Sequence, residues 1–406
     1  SNWNILQCSC GSILEVVHDF KQLKEKLSIK KFDERLALID PPYNSGVWRY
    51  KEMVLDIKDE FIISMPEGNT NLYNSNTVSE YAEVKNLYLK AEGQNPTCSF
   101  KDRGMTTAIS VAKMLGYKRV ACASTGNTSA SMSAYASIAG MVAIIFIPKE
   151  DVTIGKLSQA LAYGAKTLRI NGNFDFAMKI VQRACKKFNM YLLNSINPFR
   201  IEGQKTIAFE ALQQLKWQVP NWFVLPGGNL GNCSAIGKGL RELHELGLIN
   251  KLPRIAVIQA KGSNPFYLSY KENFKKFLRI KNPKTIASAI RIGNPVSWKK
   301  AKEVIEFTNG VVEDVTDQEI IDAKLIIDRA GIGCEPASAS TVAGIKKLVK
   351  KGMIKSSETI VAILTGNILK DIDIIINYNE GKLDGIITKS PNLPKMVNSL
   401  DEVEKA

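Results

Sequence analysis

The chain has 406 residues, of which 45% are hydrophobic and 23% charged, and its formal net charge is +14. That length suggests about two domains, and that balance an ordinary soluble globular protein. No apolar run reaches the eighteen residues of a membrane helix, and the start, Ser1-Asn2-Trp3, lacks the basic and apolar regions of a signal peptide.

The excess lysine lies in scattered pairs such as Lys275-Lys276 and Lys350-Lys351, with no basic block interleaved with stacking aromatics, so no nucleic-acid partner is expected. Of the seven cysteines only Cys8 and Cys10 are close together, which suits a reducing cytoplasm. Cys8-Ser9-Cys10-Gly11 could be half of a zinc ribbon, but a second pair at suitable spacing is missing, so no metal is expected. The two histidines, His18 and His244, have no Ser or Cys partner motif that would make a hydrolase triad.

Residues 1–60 read as a Lys-rich extension broken at Pro41-Pro42, and 86–91 as a strand. Beyond them the pattern alternates. Helices are predicted over 102–115, 128–139, 155–163 and 175–188, and strands over 119–124, 142–148, 166–171 and 191–195. After Glu202 a helix is expected over 204–215, a strand over 222–225, a helix over 233–244 and a strand over 254–259. An irregular stretch, 260–298, interrupts the alternation. Helices near 299–307, 317–329 and 339–351 then lead to a strand over 359–364 and a polar tail after Asp384. Short β-branched runs alternating with helices indicate an α/β fold with mainly parallel twisted sheets covered by helices.

In such sheets ligands gather beyond the carboxyl ends of the strands. After the strand at 119–124 comes Ser124-Thr125-Gly126-Asn127-Thr128-Ser129, which opens a helix and can hold an anion or simply cap that helix. After 222–225 comes Pro226-Gly227-Gly228-Asn229-Leu230-Gly231-Asn232, a phosphate cradle or a tight turn. It has neither a P-loop lysine nor a dinucleotide fingerprint. After 359–364 comes Thr365-Gly366-Asn367, whose hydroxyl could meet a heteroaromatic nitrogen. The stretch 95–105, NPTCSFKDRGM, puts Ser99 as a helix cap, with Asp102 three residues on. Lys101 then sits in the first turn, where the helix dipole should lower its pKa and free its amine to attack a carbonyl. A lysine nucleophile, a phosphate cradle and polar groups for a ring together are what pyridoxal 5′-phosphate requires.

At this point the chain resembles the threonine synthases, of the tryptophan-synthase-β-like (fold type II) pyridoxal-phosphate enzymes. The similarity runs from about residue 46 to 371 and rests on NPTCSFKDRGM, CASTGNTSAS, NSINPFRIEGQKT (194–206), TIASAIRIGNP (285–295) and EPASAS (335–340). It implies that Lys101 is the Schiff-base lysine and main proton carrier. Asn127 would meet the ring's phenolic oxygen, and Gly228, Asn229, Leu230, Gly231 and Asn232 the cofactor phosphate. Thr365 would face a largely unprotonated pyridine nitrogen. Ser124, Thr125 and Thr128 would hold the substrate, with Asn194, Ser195 and Arg200 receiving its own phosphate.

The resemblance further implies a homodimer acting on a small phosphorylated amino acid, O-phospho-L-homoserine, with water, to give L-threonine and phosphate. The domains would be interwoven: an extension over 1–60, a larger body from 61–95 and 200–385, a smaller mobile one over 96–199, and a tail over 386–406. Cys98 stands where the family usually has glycine, and Gly227–Leu230 and Asn367–Leu369 also depart from its pattern. β-Elimination or β-replacement on this scaffold, as in cysteate synthase or threonine/serine dehydratases, and a non-catalytic cofactor-binding paralogue are the alternatives.

Overall fold

The computed structural model describes residues 3–149, 154–172, 174–398 and 400–405; Ser1 and Asn2 lie outside them. Residues 1–370 form one compact unit and 371–406 a second. Among the described residues, ten strands make two sheets. The larger contains β1 (Leu72–Asn74), β2 (Asn86–Ala91), β7 (Trp222–Pro226), β8 (Arg254–Ala260), β9 (Val311–Val315) and β10 (Thr359–Leu364). Its order is β1-β2-β10-β7-β8-β9, parallel except for β1. The smaller contains β3 (Arg119–Ala123), β4 (Val142–Pro148), β5 (Lys166–Ile170) and β6 (Tyr191–Leu192), in the order β5-β4-β3-β6, all parallel.

The central strands are buried along nearly their whole length, as TIVAIL and WFVLP suggest for strands covered on both faces. The Pro336–Lys350 helix packs against β7, β8, β9 and β10. The Lys101–Met114 helix packs against the Asn127–Ile138 and Phe199–Gln204 helices. Its crossing with the last is close because Gly203 has no side chain: a Cβ there would overlap the Arg103 carbonyl oxygen. No helix among the described residues is long and apolar enough to cross a membrane.

Four local expectations change. β9 was not anticipated, because VVEDV places two acids inside a strand. β6 is two residues, not five. The helix expected over 204–215 forms as Thr206–Gln214, and a further helix, Phe199–Gln204, which was not expected, precedes it. The irregular 260–298 stretch contains the helix Pro265–Lys271. In the second unit, the Ile372–Asn379 helix is followed by a chain that returns to it, Thr388 Oγ1 donating to the Tyr378 carbonyl at 3.0 Å.

Candidate active site

Parallel register brings the informative loops together. Leu364 pairs with Ala91 and Ala362 with Val224, so β2, β10 and β7 end side by side. The loops that leave those ends are the one before Lys101, Thr365-Gly366-Asn367, and Gly227–Asn232. In the smaller sheet Ala121 pairs with Leu192, so the 124–128 loop and the 194–200 segment also emerge together. Asn194 fastens these two: its Oδ1 accepts from the Ala123 amide and its Nδ2 donates to the Ala123 carbonyl, both at 2.9 Å. The amide expected to receive a substrate phosphate is thus engaged in tying loops. Ser195 beside it remains partly exposed.

The loop before Lys101 is laced to the loop after β10. Phe100 N donates to the Thr365 carbonyl and Asn367 N to the Cys98 carbonyl, both at 3.0 Å, and Ser99 and Gly366 form an antiparallel bridge. Cys98 takes φ +65°, the left-handed region that favours glycine, which accounts for the glycine usual there. Ser99 does not cap the helix. Phe100 already has helical backbone and occupies the cap position, which leaves the Ser99 hydroxyl buried without a partner. Asp102 secures the turn instead, accepting from Thr97 N at 2.6 Å and from Thr97 Oγ1 and Ser131 Oγ at 2.5 Å. Burial pushes its carboxyl up to about 6.

Lys101 opens its helix, and its Nζ lies 4.1 Å from the Phe100 ring centroid. Burial first, and then the Arg200 guanidinium, bring its amine down to about 7, against Glu335, which raises it. The direction is the one expected for a first-turn lysine, and its leading causes are desolvation and Arg200. Arg200 is itself buried. Its Nη1 donates to the Leu193 carbonyl at 3.1 Å, its Nε has no partner, and no carboxylate pairs with it among the described residues. Burial lowers its pKa to about 10. A buried guanidinium without a counter-ion is a strong attractor for an anion, above all a planar two-oxygen acceptor.

The glycine loop after β7 has the features of a place that could seat an anion. Leu230 takes φ 64° and precedes the Gly231–Glu245 helix without a side-chain cap, which leaves the first-turn N–H groups open. Both polar atoms of the Asn232 side chain are buried without a partner. A Cβ at Gly231 would meet only Ser297 Oγ, at 3.9 Å, whereas one at Gly228 would press on the Ala289 carbonyl at 3.1 Å. The Asn127–Ile138 helix likewise starts without a side-chain cap, with open space over Gly126 and Ser124, Thr125 and Thr128 partly exposed around it. Asn127 Nδ2 donates to Glu335 Oε2 at 3.0 Å, and Thr365 Oγ1 to Glu335 Oε1 at 3.1 Å. Sequence reasoning gave Glu335 no role. A Glu-Pro pair before a helix reads as an ordinary helix start, and nothing local points its carboxylate at residues 127 and 365.

The sequence profile of the pyridoxal-phosphate dependent enzymes matches residues 63–366, three quarters of the chain, and spans all of these loops. The chain belongs to that family. Curated relatives within it are threonine synthases. That of Methanocaldococcus jannaschii is 48% identical over 93% of this chain and 91% of its own length. That of Methanosarcina acetivorans is 45% identical over 93% and 90%, and the chloroplastic threonine synthase 2 of Arabidopsis thaliana 38% identical over 97% and 79%. Among solved structures, maize serine racemase aligns with a TM-score of 0.68 at 19% identity, covering 87% of this chain and 97% of its own. A threonine deaminase from Solanum lycopersicum aligns at 0.65 and 22%, covering 79% and 89%. These two carry the fold, that of the fold type II pyridoxal-phosphate enzymes. The cofactor of the family fits what the chain offers: an amine near neutrality, an uncapped helix start with an orphaned Asn232, and hydrogen-bonding side chains at 127 and 365.

Proposed function

We propose that the chain is a threonine synthase that converts O-phospho-L-homoserine and water to L-threonine and phosphate. The observation that carries the phosphorylated substrate is the buried, counter-ion-free Arg200, close enough to lower the pKa of Lys101. The curated relatives' shared name, threonine synthase, supports the reaction's product.

In this reading the Gly228–Asn232 seat holds the cofactor phosphate, Asn127 the phenolic oxygen and Thr365 the ring nitrogen. Bound there, pyridoxal phosphate supplies a carbonyl carbon for amine exchange and an electron sink for the carbon beside it. Lys101 Nζ, deprotonated in part at neutral pH, takes the proton from the substrate's Cα and moves one at Cβ. Arg200 binds the departing phosphate at Cγ, with Ser195 beside it and Asn194 fixing the two loops. Ser124, Thr125, Thr128 and the open helix start at Asn127 hold the substrate carboxylate. The segment 96–199, which carries the smaller sheet, is read as the part that closes over substrate and excludes water. A homodimer in the cytoplasm accompanies this reading, consistent with seven free thiols.

The test is phosphate release and threonine formation by purified, cofactor-loaded protein. Phosphohomoserine should be turned over and phosphoserine poorly, and Lys101→Ala should lose both the bound-cofactor absorbance and turnover. Preferential use of phosphoserine would move the assignment to β-replacement, and turnover by Lys101→Ala would remove the lysine from its role.

A further inference from the structure

Glu335 is the least expected group in the site. It is 1% exposed, and it precedes the Pro336–Lys350 helix without making the cap bond its position allows. Its carboxylate instead spans Asn127 and Thr365, one oxygen to each. Gly366 makes room for it, since a Cβ at residue 366 would run into the carboxylate. These are the two residues that the proposed function gives to the cofactor ring.

Thr365 has a single hydroxyl proton, and the surrounding bonds fix where it goes. Ser338 Oγ accepts from the Gly366 amide at 3.1 Å and lies 3.1 Å from Thr365 Oγ1. Ser338 can therefore give its own proton to Thr365, and Thr365 gives its proton to the carboxylate, an acceptor that has none to return. A proton given to Glu335 cannot also be given to a ring nitrogen. One hydrogen of the Asn127 amide is committed in the same way. The loop that carries Thr365 is laced to the loop that carries Lys101, so this chain of donors is part of the same unit as the lysine.

We propose that Glu335 is a positioning residue that holds the Asn127 amide and the Thr365 hydroxyl and must release the Thr365 proton when the cofactor ring binds. The proposal rests on the assignment of residues 127 and 365 to the ring. It makes cofactor loading a competition between a buried carboxylate and the incoming ring for the same donors. In Glu335→Gln the amide can donate to Thr365 Oγ1 while its oxygen still accepts from Asn127. The Thr365 proton is then free to point at the ring.

The experiment is titration of the apo proteins with pyridoxal phosphate, without substrate, followed by protein fluorescence and cofactor absorbance. E335Q should bind the cofactor on the order of tenfold more tightly than wild type, the worth of one hydrogen bond to a charged group. A role in holding the fold together predicts the opposite sign, so equal or weaker binding by E335Q overturns the proposal. Should E335Q fail to fold, Glu335→Asp, whose shortened carboxylate cannot span both donors, gives the same reading: tighter loading supports the proposal, and equal or weaker loading overturns it. Borohydride reduction of loaded wild type separates this from the site assignment. Cofactor fixed on Lys101 upholds the site whatever Glu335 does, and cofactor fixed elsewhere removes the site reading itself.

Discussion

A buried guanidinium that no carboxylate neutralises is costly, and proteins keep such groups where an anion arrives. Arg200 acts twice in this site. In the proposed function it takes the substrate's phosphate, and its field lowers the Lys101 amine. Arg200→Leu should therefore separate two properties. Its KM for phosphohomoserine should rise on the order of a hundredfold, the cost of a lost charge-assisted bidentate contact, with cofactor affinity within about twofold. Removing a cation also removes one of the causes that depress Lys101, so the lysine pKa rises and less free amine is present at neutral pH. The pH profile for development of the bound-cofactor absorbance should accordingly move to higher pH. A profile that stays in place, or moves down, would show that Arg200 does not act on the lysine.

The helices deliver these residues, and their packing sets the tolerance. Phe199–Gln204 lies on Lys101–Met114 through Gly203, where a Cβ would overlap the Arg103 carbonyl. Gly203→Ala should cost about 1–3 kcal/mol, as overpacking of a tight contact does, and because Arg200 lies on the displaced helix it should also raise KM for the phosphorylated substrate. A denaturant midpoint and KM both unchanged would mean that the two helices part without consequence. This packing is invisible in the sequence, which offers only a glycine inside a helix. The strand ends were legible, because buried parallel strands read as apolar runs and glycine, asparagine and hydroxyl residues fill the loops that leave them. β9 was not legible. Its Glu313 and Asp314 look like a break in a strand, yet they are buried and matched by Lys347 of the Pro336–Lys350 helix, which pairs with Asp314 at 3.1 Å, and by Lys351 just past that helix's end. The Ser99 cap failed because Phe100 entered the helix first, and Glu335 was missed because its partners lie 208 and 30 residues away in sequence.

At the scale of the larger unit, the N-terminal segment holds the helix that carries Arg200 at two points, its first residue and Glu202. Trp3 stacks on Phe199 with centroids 5.0 Å apart, and His18 Nε2 lies 2.8 Å from Glu202 Oε2. Lys238 donates to the Val16 carbonyl at 2.7 Å and pairs with Glu242 at 2.9 Å, and Lys205 pairs with Glu242 at 2.6 Å. Glu202 is the hub, bonded to His18, Lys205 and Lys238. Burial alone would raise its carboxyl, but Lys205 and Lys238 hold it well below the usual carboxylate range. Glu202→Gln leaves two buried ammonium groups sharing Glu242 and should cost about 3–5 kcal/mol. The depressed value sets the sign of the pH effect. The carboxylate's contribution is fully present above its unfolded pKa of about 4.3 and is lost as pH falls toward the folded one. The gap in thermal midpoint between wild type and E202Q should therefore be constant from pH 7 to about 5 and narrow below about pH 4. A gap that persists undiminished at pH 3 would show that Glu202 is not held ionised by its lysines.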